Sequence, residues 1–234
     1  MASMKLEKVT NERSRRYEDA CGTAWGLEIL GERWALLVVR ELMLGPKRFG
    51  DLRGSLPGLS ANVLTQRLEG LEAAGVLVRR RLGPPASVQV YALTEWGLEA
   101  ETIISALGKW AARSPDHDPT LPLSPVSMML SLKTMFDASA AGYARTGLGF
   151  HFGSEHFVVR VAAGRLEAER GEARGLDAVI TATPEAVAAI VYGDPGTVRD
   201  RIAALATVTG DVEALVRFSR WFELPPKAAR AAAA

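Results

Sequence analysis

Cysteine is almost absent from this chain: Cys21 is the only one in 234 residues. No intrachain disulfide can form, which excludes the small stapled scaffolds of secreted proteins. Histidine is scarce as well, limited to His117, His151 and His156, so a tetrahedral His-rich zinc site is not expected. No apolar run is long enough to cross a bilayer. The charged start, M-A-S-M-K-L-E-K-V-T-N-E-R, lacks the apolar stretch of a secretory signal. A cytoplasmic protein is the expectation. Neither charge is in excess, with 28 Lys+Arg against 27 Asp+Glu and a net charge of +1, which taken alone argues against nucleic acid. There is no G-x-S-x-G, no phosphate-loop glycine pattern and no dinucleotide fingerprint. Nothing points to an enzyme or a cofactor, and no internal repeat is present.

What remains is the balance of a soluble globular protein, 48% hydrophobic and 24% charged, at a length that suits two domains. Residues 114–125, S-P-D-H-D-P-T-L-P-L-S-P, carry four prolines, which cannot continue a helix or a sheet interior. The expected division is an arm at 1–20, a domain at 21–113, a linker at 114–125, a second domain at 126–226 and a disordered Ala-rich tail at 227–234. The neutral total hides an asymmetry. Residues 1–113 hold 16 Lys+Arg and 13 Asp+Glu, net +3, and residues 114–234 hold 12 and 14, net −2.

The first half carries short helical patterns followed by two strand patterns. Ala24, Leu27, Ile29 and Leu30 predict a short helix. Trp34, Leu37, Val38, Glu41 and Leu42 keep helical spacing as far as a Gly45-Pro46 stop. Residues 48–56 form another short helix, with Phe49 and Leu52 on one face, and Pro57-Gly58 turns the chain. Ser60 can cap a third helix, in which Leu64, Leu68 and Leu71 fall at i, i+4 and i+7 and face the core. Gly75 ends it. Residues 76–82 and 88–93 read as strands around Gly83-Pro84-Pro85. Thr94 caps a helix to about Trp110.

A helix entering a major groove must present hydrogen-bonding side chains opposite its core stripe. Behind the capping Ser60, the outward positions are Ala61, Asn62, Thr65 and Gln66. Asn and Gln can pair bidentately with adenine, and Thr can meet a base or a thymine methyl. Arg67 reaches a phosphate or packs at the core edge. Arg79, Arg80 and Arg81 in the hairpin, with Lys47, Arg48 and Arg53 around the preceding helix, are phosphate candidates. Any one of these alone reads equally well as solvated surface. Their order along the chain is what distinguishes them.

That order resembles the HxlR family of bacterial winged-helix transcriptional regulators, over residues 21 to about 112. The matching text is E-R-W-A-L-L-V-V-R-E-L, G-P-K-R-F-G-D-L, L-P-G-L-S-A-N-V-L-T-Q-R-L-E-G-L-E-A-A-G-V-L and V-Y-A-L-T-E-W-G. The resemblance implies a homodimer held by residues 15–31 and 94–110, two recognition helices reading a twofold-related DNA operator, and core roles for Trp34 and Phe49. Some members sense oxidants through a cysteine near the start of the domain, about where Cys21 stands. Here it is Cys-Gly where the family commonly has Cys-Pro, with no second cysteine. The preferred reading of Cys21 is a small, partly buried residue, with a redox role as the alternative.

The second half predicts an amphipathic helix over 126–143, strands at 148–152, 157–162, 166–170, 178–182 and 207–209, and helices at 184–192, 197–205 and 211–222. Asp194 and Asp211 read as helix caps. The patterns L-G-F-H-F-G-x-x-H-F-V-V-R-V, L-D-A-V-I-T-A-T-P-E-A-V-A-A-I-V-Y-G-D and T-G-D-V-E-A-L-V-R-F-S-R-W-F resemble a sterol carrier protein (type two) domain. This implies an overall α+β protein whose C-terminal domain is a mixed five-stranded sheet covered by helices around an apolar tunnel. Tunnel candidates are Met129, Leu132, Met135, Phe136, Phe150, Phe152, Phe157, Val187, Ile190, Val191, Leu215, Phe218, Trp221 and Phe222. The same stripes equally describe a solid core. The leading expectation is therefore a homodimeric operator-binding regulator whose second half senses an apolar or amphipathic, lipid-like small molecule. The alternative is a ligand-free dimerisation or docking module. H-F-G-S-E-H places three residues between His151 and Glu155 where the inverted zinc-protease signature has two, and reads as strand and turn.

Overall fold

The computed structural model describes residues 17–83 and 87–230. The first sixteen residues of the expected arm, the Pro84-Pro85 part of the hairpin turn and residues 231–234 lie outside that description. Where the chain is described, each local signal in the first half produces its element. Helices α1 (Gly22–Leu30), α2 (Ala35–Leu42), α3 (Phe49–Ser55) and α4 (Ala61–Ala73) precede the antiparallel hairpin β1 (Leu77–Arg81) and β2 (Gln89–Leu93) and the long α5 (Glu95–Ala111). Ser60 Oγ accepts from the Val63 amide and Thr94 Oγ1 from the Gly97 amide, each satisfying an orphan donor at a helix start. Leu64, Leu68 and Leu71 are fully buried, together with Val38, Leu42, Leu52 and Leu77. Gly97 lets α5 lie against the start of the hairpin: a Cβ there would come within 2.0 Å of the Val76 carbonyl oxygen.

The second half comprises α6 (Pro125–Met135), α7 (Ala138–Ala141), β3 (Thr146–Phe152), β4 (Glu155–Ala162), β5 (Arg165–Arg170), β6 (Ala178–Thr181), α8 (Pro184–Tyr192), α9 (Val198–Leu205), β7 (Thr207–Gly210) and α10 (Val212–Ser219). The strands make a mixed sheet of order β5-β4-β3-β6-β7, with β3 and β6 parallel and the other pairs antiparallel. The five-stranded mixed sheet is thus as expected. Asp194 and Asp211 do cap, accepting from the Gly196 and Glu213 amides.

Three local expectations change. The single helix predicted over 126–143 stops at Met135. Phe136 turns extended and bridges to Phe222, the Asp137 amide donates to the Trp221 carbonyl, and the Asp137 carboxylate caps α7. Pro125, placed at the end of the linker, is the first residue of α6 behind an N-cap at Ser124, where a missing N–H costs nothing. Residues 227–230, expected to be disordered, lie against the end of α5: Lys227 Nζ donates to the Ala112 and Ser114 carbonyls and the Ala228 amide to the Arg113 carbonyl.

The buried apolar residues of both halves form one continuous cluster, from Ala35 to Phe222. Helix α6 packs on α5 and α2. The segment between α5 and α6 is therefore accompanied by direct contact between the halves.

Candidate nucleic-acid interface

Helix α4 buries its leucine stripe and leaves Ser60, Asn62, Thr65 and Gln66 exposed, with Ala61 half-buried. The Thr65 hydroxyl donates to the Ala61 carbonyl, so its methyl and an acceptor lone pair remain for a base. Gln66 borders the groove between α4 and α1, beside Trp25 and Glu28. Arg67 does not extend as a free phosphate contact. Its Nε donates to the Arg33 carbonyl at 3.0 Å and its Nη2 to Glu32 at 2.8 Å, so it packs at the core edge and fixes α4 to the α1–α2 corner. Arg48 and Arg53 are exposed at the start and end of α3.

In the wing, Arg79, Arg80 and Arg81 are all exposed. Their register opposite Tyr91, Val90 and Gln89 sends Arg79 and Arg81 to one face and Arg80 to the other. Arg79 is engaged, with Nε 2.7 Å from Glu72, and the hydrogen bond from Arg79 holds the Glu72 carboxyl below its ordinary range. Among the described residues, no side-chain partner engages Arg80 or Arg81.

Lys47 overturns the expectation of a phosphate contact. It is 3% exposed, and its backbone pairs with Tyr91 of the wing in both directions. Its Nζ donates to Glu41 at 2.9 Å, to Ser55 Oγ at 2.9 Å and to Glu155 at 3.5 Å, which uses all three ammonium donors. Glu41 is 0% exposed, and its other oxygen accepts from Arg40 at 3.0 Å and from Ser124 Oγ at 2.5 Å. On the far side, Glu155 also pairs with Arg170, whose guanidinium lies over the Phe157 ring and reaches the Leu44 carbonyl. A buried charge cluster thus joins α2 and the loop after it to β4, β5 and the N-cap of α6. Sequence reading missed Glu41, Ser124, Glu155 and Arg170. The only signal was a charged residue, Glu41, on the inward face of an otherwise apolar helix.

Beside this cluster lies a cleft of about 1000 Å³, bounded by Trp34, Leu37, α3, residues 121–125 and Arg170. Trp34 stands at its edge with φ at +80°, a backbone state rare for a bulky residue. The expected tunnel residues, by contrast, fill their own space. All are buried except Phe136, which is half-buried, and their rings meet: Phe150 with Phe218 at 6.1 Å, Phe218 with Phe222 at 4.7 Å, and Phe136 with Phe222 at 5.9 Å between centroids.

On the side of α5 away from the core, Trp96, Ile103, Leu107 and Trp110 are exposed, and Trp25 and Leu27 of α1 are exposed as well. Spacings of seven, four and three residues put the α5 group on one helix face. Cys21, expected to be partly buried, is exposed at the start of α1. The Thr23 amide and hydroxyl and the Ala24 amide hold its thiol below the ordinary value.

A three-helix core with an exposed polar recognition helix and a basic wing defines a helix-turn-helix DNA-binding transcriptional regulator. The chain belongs to the HxlR-like helix-turn-helix family, whose model matches residues 29–118. It is 40% identical over 86 residues to the HTH-type transcriptional regulator YvaP of Bacillus subtilis, covering 36% of this chain and 79% of YvaP. It is 37% identical over 84 residues to the transcriptional regulator YodB of the same organism, covering 36% and 74%. A solved structure of the reduced form of YodB shares 29% identity over 43% of this chain and 100% of that one, with a TM-score of 0.38. Among the described residues no helix is long and apolar enough to cross a membrane.

Proposed function

We propose that the protein binds operator DNA as a homodimer and that its C-terminal half, clamped to the reading half, responds to an amphipathic small molecule held in the cleft between them. The observation that carries the DNA reading is α4. Its inner face is fully committed to the core, while Asn62, Thr65 and Gln66 stay exposed toward its N-terminal end. Asn62 and Thr65 are the base readers of this assignment, Gln66 reads from the flank, and Arg80, Arg81, Arg48 and Arg53 hold phosphates. The half that reads DNA carries a net charge of only +3, so one copy offers few phosphate contacts and two copies are needed for tight binding. The apolar faces of α1 and α5 are the surfaces on which two copies meet.

Replacing Asn62 and Thr65 by Ala is expected to cost about 1–3 kcal/mol of preference for the operator per lost base contact, with non-specific binding nearly unchanged. Replacing Arg80 and Arg81 by Ala weakens all DNA alike and lowers the salt slope by about one per lost phosphate contact. Fluorescence anisotropy on operator and scrambled duplexes across a salt series separates the two. If both pairs of substitutions leave both duplexes bound as before, α4 and the wing are not the reading surface.

The sterol-carrier-like reading of the C-terminal half finds support in the mixed sheet and its helical cover. A ligand among the predicted tunnel residues would have to displace packed rings. The cleft needs no such displacement, and it mixes Leu37, Leu121 and Leu123 with Arg40, Lys47 and Ser124. It also borders Gly50, Asp51, Gly54 and Ser55 of α3, the helix just before the reading helix, so a bound molecule would bear on α4 through one turn. Native mass spectrometry of freshly purified protein tests this. A co-purifying small molecule that a Ser127→Trp substitution in the cleft wall excludes supports sensing. A consistently empty dimer favours the alternative, a ligand-free docking module.

A further inference from the structure

We propose that His151, His156 and Glu172 form a binding site for a divalent transition-metal ion, on the sheet face opposite the helical layer. His151 and His156 are cross-strand partners on β3 and β4. They share one face of the sheet, because their neighbours Phe150 and Phe157 point into the core on the other. The two imidazoles stack with centroids 3.9 Å apart and 17° between planes. Glu172, just beyond β5, closes the group, and one ligand atom from each of the three residues lies within 4.8 Å of the others. Glu155, the acid that sequence places between the two histidines, belongs to the other face and is spent on Lys47 and Arg170.

The strongest part of the case is the orientation of His156. Its Nε2 is 3.2 Å from the carbonyl oxygen of Gly153, and its Nδ1 is 2.5 Å from Glu172 Oε1. Both neighbours are acceptors, so Nε2–H donates to the carbonyl and, without a metal, Nδ1–H donates to the carboxylate. A ligating histidine ordinarily has this arrangement, one ring nitrogen tied to a backbone carbonyl and the other aimed at the metal. Gly153, at φ +62° in the turn between β3 and β4, supplies that carbonyl. A metal ion would take the place of the proton between Nδ1 and Glu172, and that proton would leave to solvent. Bringing three ligand atoms to about 2.0–2.2 Å from one centre requires the two imidazoles to turn out of their stacked arrangement, which the broad terminal torsions of His and Glu allow.

Two imidazoles and one carboxylate suit Zn²⁺, Co²⁺, Ni²⁺ or Cu²⁺. Ca²⁺ and Mg²⁺ prefer oxygen ligands throughout. With the histidines half-buried and Glu172 exposed, part of the coordination shell faces water, which makes the ion exchangeable.

The test is titration of the chelator-treated full-length protein with Co²⁺, read by its visible absorption and by calorimetry, with Zn²⁺ displacement as confirmation. One Co²⁺ per chain is expected. His151→Ala and His156→Ala should each weaken it by more than the roughly 10–100-fold that losing a supporting partner costs, and Glu172→Gln should alter the spectrum. His117→Ala and Cys21→Ser should leave it intact. Circular dichroism and thermal midpoints in the absence of metal establish that the variants fold. Undiminished binding by folded His151→Ala and His156→Ala, loss of binding in His117→Ala or Cys21→Ser, or no Co²⁺ binding below millimolar concentration would each overturn the site.

Discussion

Lys47→Met will destabilise the protein by up to about 3–5 kcal/mol, because it takes the most deeply buried counter-charge from Glu41 and leaves only Arg40 and Ser124 to hold that carboxylate. Glu41 is wholly buried and Lys47 nearly so, and the single ammonium serves Glu41, Ser55 and Glu155 together. Removing both charges, as in Glu41→Leu with Lys47→Met, will recover much of the loss, since matched apolar replacements of buried pairs are often close to neutral. Urea denaturation of the single and double variants measures both. A loss below about 1 kcal/mol for Lys47→Met, the range of exposed pairs, would mean that the cluster is hydrated in solution. The prediction also distinguishes this role from a phosphate contact. A phosphate-binding lysine would show its loss in the salt dependence of DNA binding, whereas the buried Nζ should leave that slope unchanged in the folded variant.

On the dimer proposed above, Ile103→Glu will give a monomer and reduce operator affinity by about 100-fold or more, the scale on which linking two weak contacts raises overall binding. Ile103 is half exposed on the same face as Trp96, Leu107 and Trp110. A surface of that kind, next to the exposed Trp25 and Leu27 of α1, is larger than scattered apolar residues account for. In a twofold interface each substitution enters twice, so one carboxylate per chain places two charges in the apolar centre. The residue makes no contribution to the fully buried core, so the monomer should keep its fold. Analytical ultracentrifugation gives the oligomeric state and anisotropy the affinity. If Ile103→Glu sediments as a dimer and binds operator as before, the copies meet elsewhere or a single copy suffices.

The features legible in the sequence were those whose causes lie within a few residues. The Ser60 and Thr94 caps act on amides three residues on. The Leu64, Leu68 and Leu71 stripe is a matter of helical period, and the alternation in β3 and β4 is a matter of period two. Features created by distant partners were not legible. Lys47 resembled any turn lysine until Glu155, 108 residues further on, was placed beside it. Arg67 needed Glu32 and Arg79 needed Glu72 before either could be removed from the free phosphate contacts. The helix expected to run to Tyr143 ended at Met135 because Phe136 found Phe222, a competitor that local propensity does not contain.

The sequence by itself determined the winged helix-turn-helix, the polar face of α4 and the positions of the five strands along the second half, because caps, breakers and hydrophobic period act locally. Only the tertiary structure decided which cations are engaged in ion pairs, how the two halves are joined, and that His151 and His156 face Glu172 rather than Glu155. Those outcomes depend on Coulombic and hydrogen-bonding partners that come together only when strands pair and layers close.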